Sequence, residues 1–158
     1  MPRTAHRFRT PILLAATAAA ALAGGAAGTA GQAHADYVLH TIGAQCYSMN
    51  PNIVDLPAYG GATITTDVAR PGRFDVSSDS KSIFPFASDT VVKVTQLASG
   101  ATKTYHRHWV HQFLADGGGY MINDIPARGK VKVTISGTNR GLLTLPAATC
   151  SGTVTVPG

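Results

Sequence analysis

The stretch Thr90 to Leu114 limits the possible folds most. It runs Thr90-Val91-Val92-Lys93-Val94-Thr95-Gln96-Leu97, then Ala98-Ser99-Gly100-Ala101, then Thr102 to Leu114. Two runs rich in β-branched and aromatic residues around a Ser-Gly pair predict a β-hairpin. With Ser99 and Gly100 as a two-residue loop, Val94 is expected opposite Tyr105 and Lys93 opposite His106. Val92 then meets Arg107, and Thr90 meets Trp109. Alternation puts Val92, Val94, Tyr105 and Trp109 on one face, with Arg107 between the two aromatics. Lys93, Thr95, Thr104, His106 and His108 share the other face. Past Trp109 the alternation blurs, and a bulge near Val110 is the expected cause.

The rest of the chain carries the same kind of signal. Tyr37–Ile42 reads as a first strand, with Ala44–Tyr47 continuing it across Gly43. Asn50-Pro51-Asn52 and Leu56-Pro57 mark Ser48–Tyr59 as a loop. Ala62–Thr66 is a strand, and Arg70-Pro71-Gly72-Arg73 fits a type II turn. Phe74–Val76 is a strand stub, followed by a Ser/Asp-rich loop to Ser82. Lys130–Ile135 alternates with Val131, Val133 and Ile135 inward. Gly137–Gly141 reads as a turn, and Leu142–Leu145 and Gly152–Val156 as the last strands. No segment beyond residue 35 has a helical period. Eight or nine short strands separated by turn signals predict an all-β fold, a two-sheet antiparallel sandwich with immunoglobulin-like or jelly-roll wiring.

The first residues carry Arg3, Arg7 and Arg9 without an acid, then an uncharged Ala-rich run, then Ala33-His34-Ala35. This is the pattern of a secretory signal peptide over residues 1–35, cleaved after Ala35. It predicts a secreted, extracellular protein, and the wealth of alanine reads as bacterial. Residues 36–158 are expected to form one domain, with no membrane association after the signal is removed. Cys46 and Cys150 are the only cysteines. An even count in an exported chain predicts a Cys46–Cys150 disulfide.

Removing the three signal arginines from 13 cations leaves ten, against eight aspartates and no glutamate. The resulting side-chain charge of +2 is scattered, so a nucleic-acid partner is not expected. No nucleophile signature such as Gly-x-Ser-x-Gly is present, no catalytic residue can be nominated, and no cofactor motif occurs. His106-x-His108 places two imidazoles on one strand face about 6.6 Å apart, but Lys93 beside them opposes a dication, and no metal is expected. Asp75-Val76-Ser77-Ser78-Asp79 lacks the glycine and bidentate carboxylate of a calcium loop. The stripe Tyr105-Arg107-Trp109 is the one candidate ligand face, able to stack a sugar or aromatic group with Arg107 as a hydrogen-bond fork. Together these features point to an exported, non-catalytic domain acting by surface contact with a cell-surface component, polysaccharide or protein. The alternative is a small secreted hydrolase or proteinase inhibitor, with Ser48–Tyr59 and Val76–Ser82 as candidate inhibitory loops.

Overall fold

The computed structural model describes residues 36–113 and 118–158. The expected signal peptide, residues 1–35, lies outside them. All regular structure among the described residues is β. The strands are β1 (Tyr37–Ile42), β2 (Tyr47–Ser48), β3 (Ala58–Tyr59), β4 (Ala62–Asp67), β5 (Arg73–Ser80) and β6 (Phe86–Gln96). They continue with β7 (Thr102–His111), β8 (Gly118–Pro126), β9 (Gly129–Arg140), β10 (Thr144–Pro146) and β11 (Cys150–Val156). Eleven strands form among the described residues where eight or nine are predicted: β2 and β3, of two residues each, are too short to leave a pattern in the sequence, and the expected Leu142–Leu145 strand is found slightly later, as β10.

One sheet has the order β1-β4-β5-β8, and a second has β10-β9-β6-β7 with β11 also pairing to β9. β2 and β3 form a small ribbon apart. Every pairing is antiparallel. The inward positions of both large sheets meet in one apolar cluster. Ile64, Phe74, Val76 and Ile122 enter it from the first sheet, and Val92, Val131, Val133 and Val154 from the second. Burying each of these side chains contributes about 1.5–3 kcal/mol. The alternation that flagged Lys130–Ile135 and Val92–Val94 in the sequence is therefore the alternation of a half-buried strand.

The expected Ser/Asp-rich loop is a strand. β5 pairs with β4 on one side and β8 on the other, so its backbone groups are satisfied as in any interior strand. Two-sided pairing outweighs the turn preference of Ser and Asp. The turn expected at Gly137–Gly141 is likewise β9, continued to Arg140. A Cβ at Gly137 would collide with the Asp89 carbonyl on β6, so glycine here permits close strand approach. Gly43 does break β1, as its φ of 68° shows. The chain turns there, and Cys46 N–H donates to the Gly43 carbonyl (2.9 Å). The Ala44–Tyr47 region thus leaves the sheet instead of continuing β1. Gly72 has φ 76°, as its place in the predicted turn requires.

The central hairpin forms in a different register from the expected one. Thr95 faces Thr102, Val94 faces Lys103, Val92 faces Tyr105, Asp89 faces His108 and Ser88 faces Trp109. Gly100, at φ 71°, donates its N–H to the Gln96 carbonyl (2.8 Å), so Leu97–Gly100 form a four-residue loop. Two more loop residues shift each pair by two, which preserves the faces but changes every partner. The ladder runs unbroken to Phe86–His111, so there is no bulge at Val110. The bulge lies elsewhere, in the β5–β8 ladder at Asp75, where Asp124 adopts φ 56° and donates its N–H to Asp75 (2.8 Å).

Cys46 and Cys150 are joined, with Cα atoms 6.0 Å apart. The bond fixes the start of the β2–β3 ribbon to the start of β11, and it suits an oxidising, extracellular environment.

Candidate functional site

Three loops converge at one end of the fold: 49–57 between β2 and β3, 81–85 between β5 and β6, and 141–143 between β9 and β10. Asn52 joins all three. Its amide nitrogen donates to the Pro85 carbonyl (3.2 Å) and the Phe84 carbonyl (3.4 Å), and its Oδ1 accepts from Leu142 N–H (3.2 Å). Asn50 folds the first loop on itself. Its Oδ1 accepts from Asn52 N–H (2.9 Å) and its Nδ2 donates to the Leu56 carbonyl (2.8 Å). Both asparagines are buried. Apart from the Ser82 hydroxyl, which Asn50 Nδ2 also reaches (3.4 Å), their partners are backbone groups that have no ladder to pair with.

Asp55 adds an anionic clamp. Its carboxylate accepts from Leu56 N–H (2.6 Å), Ile83 N–H (2.8 Å), Phe84 N–H (2.9 Å) and the Ser82 hydroxyl. Burial alone would raise its pKa, but the Ser82, Ile83, Phe84 and Leu56 donors hold it below the ordinary carboxylate value. His111 ties loop 81–85 to β8. Its Nε2 lies 2.8 Å from the Ser82 carbonyl and its Nδ1 accepts from Gly118 N–H (3.1 Å). A carbonyl only accepts, so this network assigns the proton to Nε2.

This polar frame turns apolar side chains outward. Val54 is 78% exposed and Leu142 77%, and Ile53, Leu56, Phe84 and Leu143 are exposed beside them. Ile53 holds φ at 63°, a strained conformation for a β-branched residue. Phe84 lies 6.2 Å from the exposed Phe113 ring. An open groove of about 520 Å³ runs between Val54, Phe84, Pro85 and Leu142. A cluster of exposed apolar side chains on braced loops is the usual mark of a contact surface.

The stripe Tyr105, Arg107 and Trp109 is on one face of β7, as expected, and all three side chains are half-buried. Trp109 donates its indole N–H to Thr90 Oγ1 (2.9 Å) and meets Phe86 edge-on at 5.4 Å between ring centres. Tyr105 and Trp109 pack against the core cluster. Arg107 donates to the His106 carbonyl (3.0 Å), and Lys103 lies over the Tyr105 ring. Trp109 has therefore spent its one donor internally.

His106 and His108 are both exposed on the opposite face. Lys93 does not directly face His106; it faces Thr104, while His108 faces Asp89. Of the two loops nominated for inhibition, Ser48–Tyr59 forms the braced loop and Val76–Ser82 is largely β5. The roles of Asn50, Asn52, Asp55 and His111 were not read from the sequence. The available signal was Ile53-Val54 set inside a polar, Pro-broken loop, a place where apolar residues have no local reason to occur.

No family model, curated protein or solved structure matches this chain.

Proposed function

We propose that this protein is an exported, non-catalytic β-sandwich that acts by surface contact with a protein or polysaccharide of the cell surface. The observation that carries the reading is the exposed Ile53-Val54, Phe84 and Leu142 cluster, held outward by Asn50, Asn52 and Asp55. Stability alone would favour burying such side chains, and polar brace residues that fix them in solvent are understood through a partner.

The wiring supports the same view. With β4, β5 and β8 as strands A, B and E, and β7, β6, β9 and β11 as C′, C, F and G, the sheet orders run A-B-E and C′-C-F-G, which supports immunoglobulin-like wiring. β1 is then an added strand outside A. Three successive long strands in one sheet, β1, β4 and β5, weigh against a jelly roll. In this scheme loop 81–85 is the B–C loop and 141–149 the F–G loop, the pair that immunoglobulin variable domains use for contact. This is an analogy of architecture, and the exposed side chains give it chemical content.

A proteinase inhibitor is the second reading, favoured by the braced protruding loop 49–57. The positive φ of Ile53 tells against it, because a substrate-like loop lies extended in an active site.

The test compares the parent with a Val54→Asp, Leu142→Asp variant, both used to capture partners from bacterial cell surfaces and culture supernatant. A specific partner retained by the parent and lost by the variant is expected. Equal capture by both, or a substrate turned over by the parent, would overturn the proposal. Slowed cleavage by a purified proteinase would favour the inhibitor.

A further inference from the structure

The other flank of loop 49–57 holds a second open cleft, of about 510 Å³, lined by Thr41, Tyr47, Leu56, Pro57, Tyr59, Asp79 and Lys81 among its residues. Its aromatic wall is built on the β2–β3 ribbon. Tyr47 and Tyr59 face each other across the ladder, ring centres 5.3 Å apart and planes tilted by 51°. Tyr47 is 55% exposed. The ribbon is rigidly seated: Gly60 N–H donates to the Cys46 carbonyl (2.9 Å), and the disulfide follows at Cys46. Tyr59 lies against Gly61, where any Cβ would strike its hydroxyl. Burial, with Tyr47 beside it, pushes the Tyr59 phenol up, so it remains a neutral hydroxyl.

The polar side of the cleft is of a different kind. Asp79 and Lys81 are both exposed, and neither joins any of the ion pairs among the described residues. Asp79 supplies an acceptor, Lys81 a donor, and Thr41 a hydroxyl. Their charges cancel, which favours a ligand without net charge. The ligand must offer donors and acceptors along one edge and an apolar face for the tyrosine rings. A pyranose does both, since its hydroxyls are each donor and acceptor and its C–H face stacks on aromatic rings. The cleft is within the size range of small-molecule sites and open along its length.

We infer that this cleft binds a neutral oligosaccharide, with Tyr47 and Tyr59 as the stacking platform and Asp79 and Lys81 as hydrogen-bonding partners. The inference goes beyond the loop-end contact and does not depend on it. A Val54→Asp, Leu142→Asp variant should keep sugar binding.

The test titrates the disulfide-bonded protein with the tetrasaccharides of chitin, cellulose, starch and mannan while following the aromatic NMR signals of Tyr47 and Tyr59. Saturable shifts with at least one of the four are expected at or below about 10 mM, the range of weak single-site affinity. Tyr47→Ala should weaken that binding by about tenfold or more, and Tyr47→Trp should restore it, because what is lost is a stacking face. Asp79→Asn with Lys81→Gln should weaken it as well. The unfolding midpoint of each variant should match the parent, which separates lost binding from lost folding. No shift with any of the four sugars, or unchanged binding in folded Tyr47→Ala, would overturn the inference.

Discussion

His108 Nδ1 lies 2.7 Å from Asp89 Oδ1, directly across the β6–β7 ladder. Arg140, from β9, reaches the other oxygen of the same carboxylate. Three strands of the outer sheet surface are thus tied by one aspartate. In the register expected from a two-residue loop, a histidine would instead have faced Lys93, and its protonation would have set two cations side by side. The observed register puts Val91 opposite His106 instead, and sets Asp89 opposite His108.

The pH response of Asp89 follows from that contact. The hydrogen bond from His108 leads in holding its carboxyl below the ordinary value, and Arg140 adds to it. A depressed folded pKa stabilises the fold above the unfolded value and loses that contribution as pH falls through the folded one. The parent should therefore be more stable than Asp89→Asn at neutral pH, with the gap closing below about pH 4, near the free carboxylate value. Unfolding midpoints of both proteins against pH check it. A gap that persists unchanged in acid would contradict it.

Asp55 obeys the same sign rule but acts on the loop. Its carboxylate is held low by donors that cross from loop 81–85. Acidification through its folded pKa should release Ile83 and Phe84, and their amide exchange should quicken relative to the core strands. Asp55→Asn should show the same quickening already at neutral pH. Unchanged exchange in that variant would mean that the asparagines hold the loop without it.

Asn52→Ala should cost about 1–2 kcal/mol, since it removes the hydrogen bonds that join loop 49–57 to backbone groups on the other two loops. The effect should be local as well as global. The Leu142 amide, which donates to Asn52 Oδ1, should lose protection first. Hydrogen exchange and denaturant unfolding of the variant measure the two effects.

Trp109→Ala should destabilise the fold by about 2–3 kcal/mol, below the range for fully buried aromatics because the indole is half-exposed. Its loss removes the Phe86 contact and leaves Thr90 Oγ1 without the indole donor. Denaturant unfolding decides. A midpoint equal to that of the parent would return Tyr105, Arg107 and Trp109 to consideration as a ligand face.

Cys46→Ala with Cys150→Ala should lower stability by about 2–5 kcal/mol, the range for a native bridge, with chain entropy for a long loop near the top of it. The bridged residues are 104 apart in sequence. The parent should show a mass two hydrogens lower than its reduced form. Two alkylatable thiols in unreduced protein would disprove the bond.

The sequence by itself determined the all-β class, the inward faces of the central hairpin and β9, and the cysteine pair. Each rests on a local rule: a period of two along the chain, or an even cysteine count. Only tertiary structure decided the rest. Loop length set the register of β6 on β7, and no periodicity distinguishes a two-residue loop from a four-residue one when the parity is the same. Pairing on both sides made β5 a strand despite its serines and aspartates. His111 was buried because two backbone groups, one at the distant Ser82 and one at Gly118, satisfy its ring. Asn50, Asn52 and Asp55 read locally as turn residues. They became a brace because the fold brought residues 82–85 and 142 to them, from about 30 and 90 positions away.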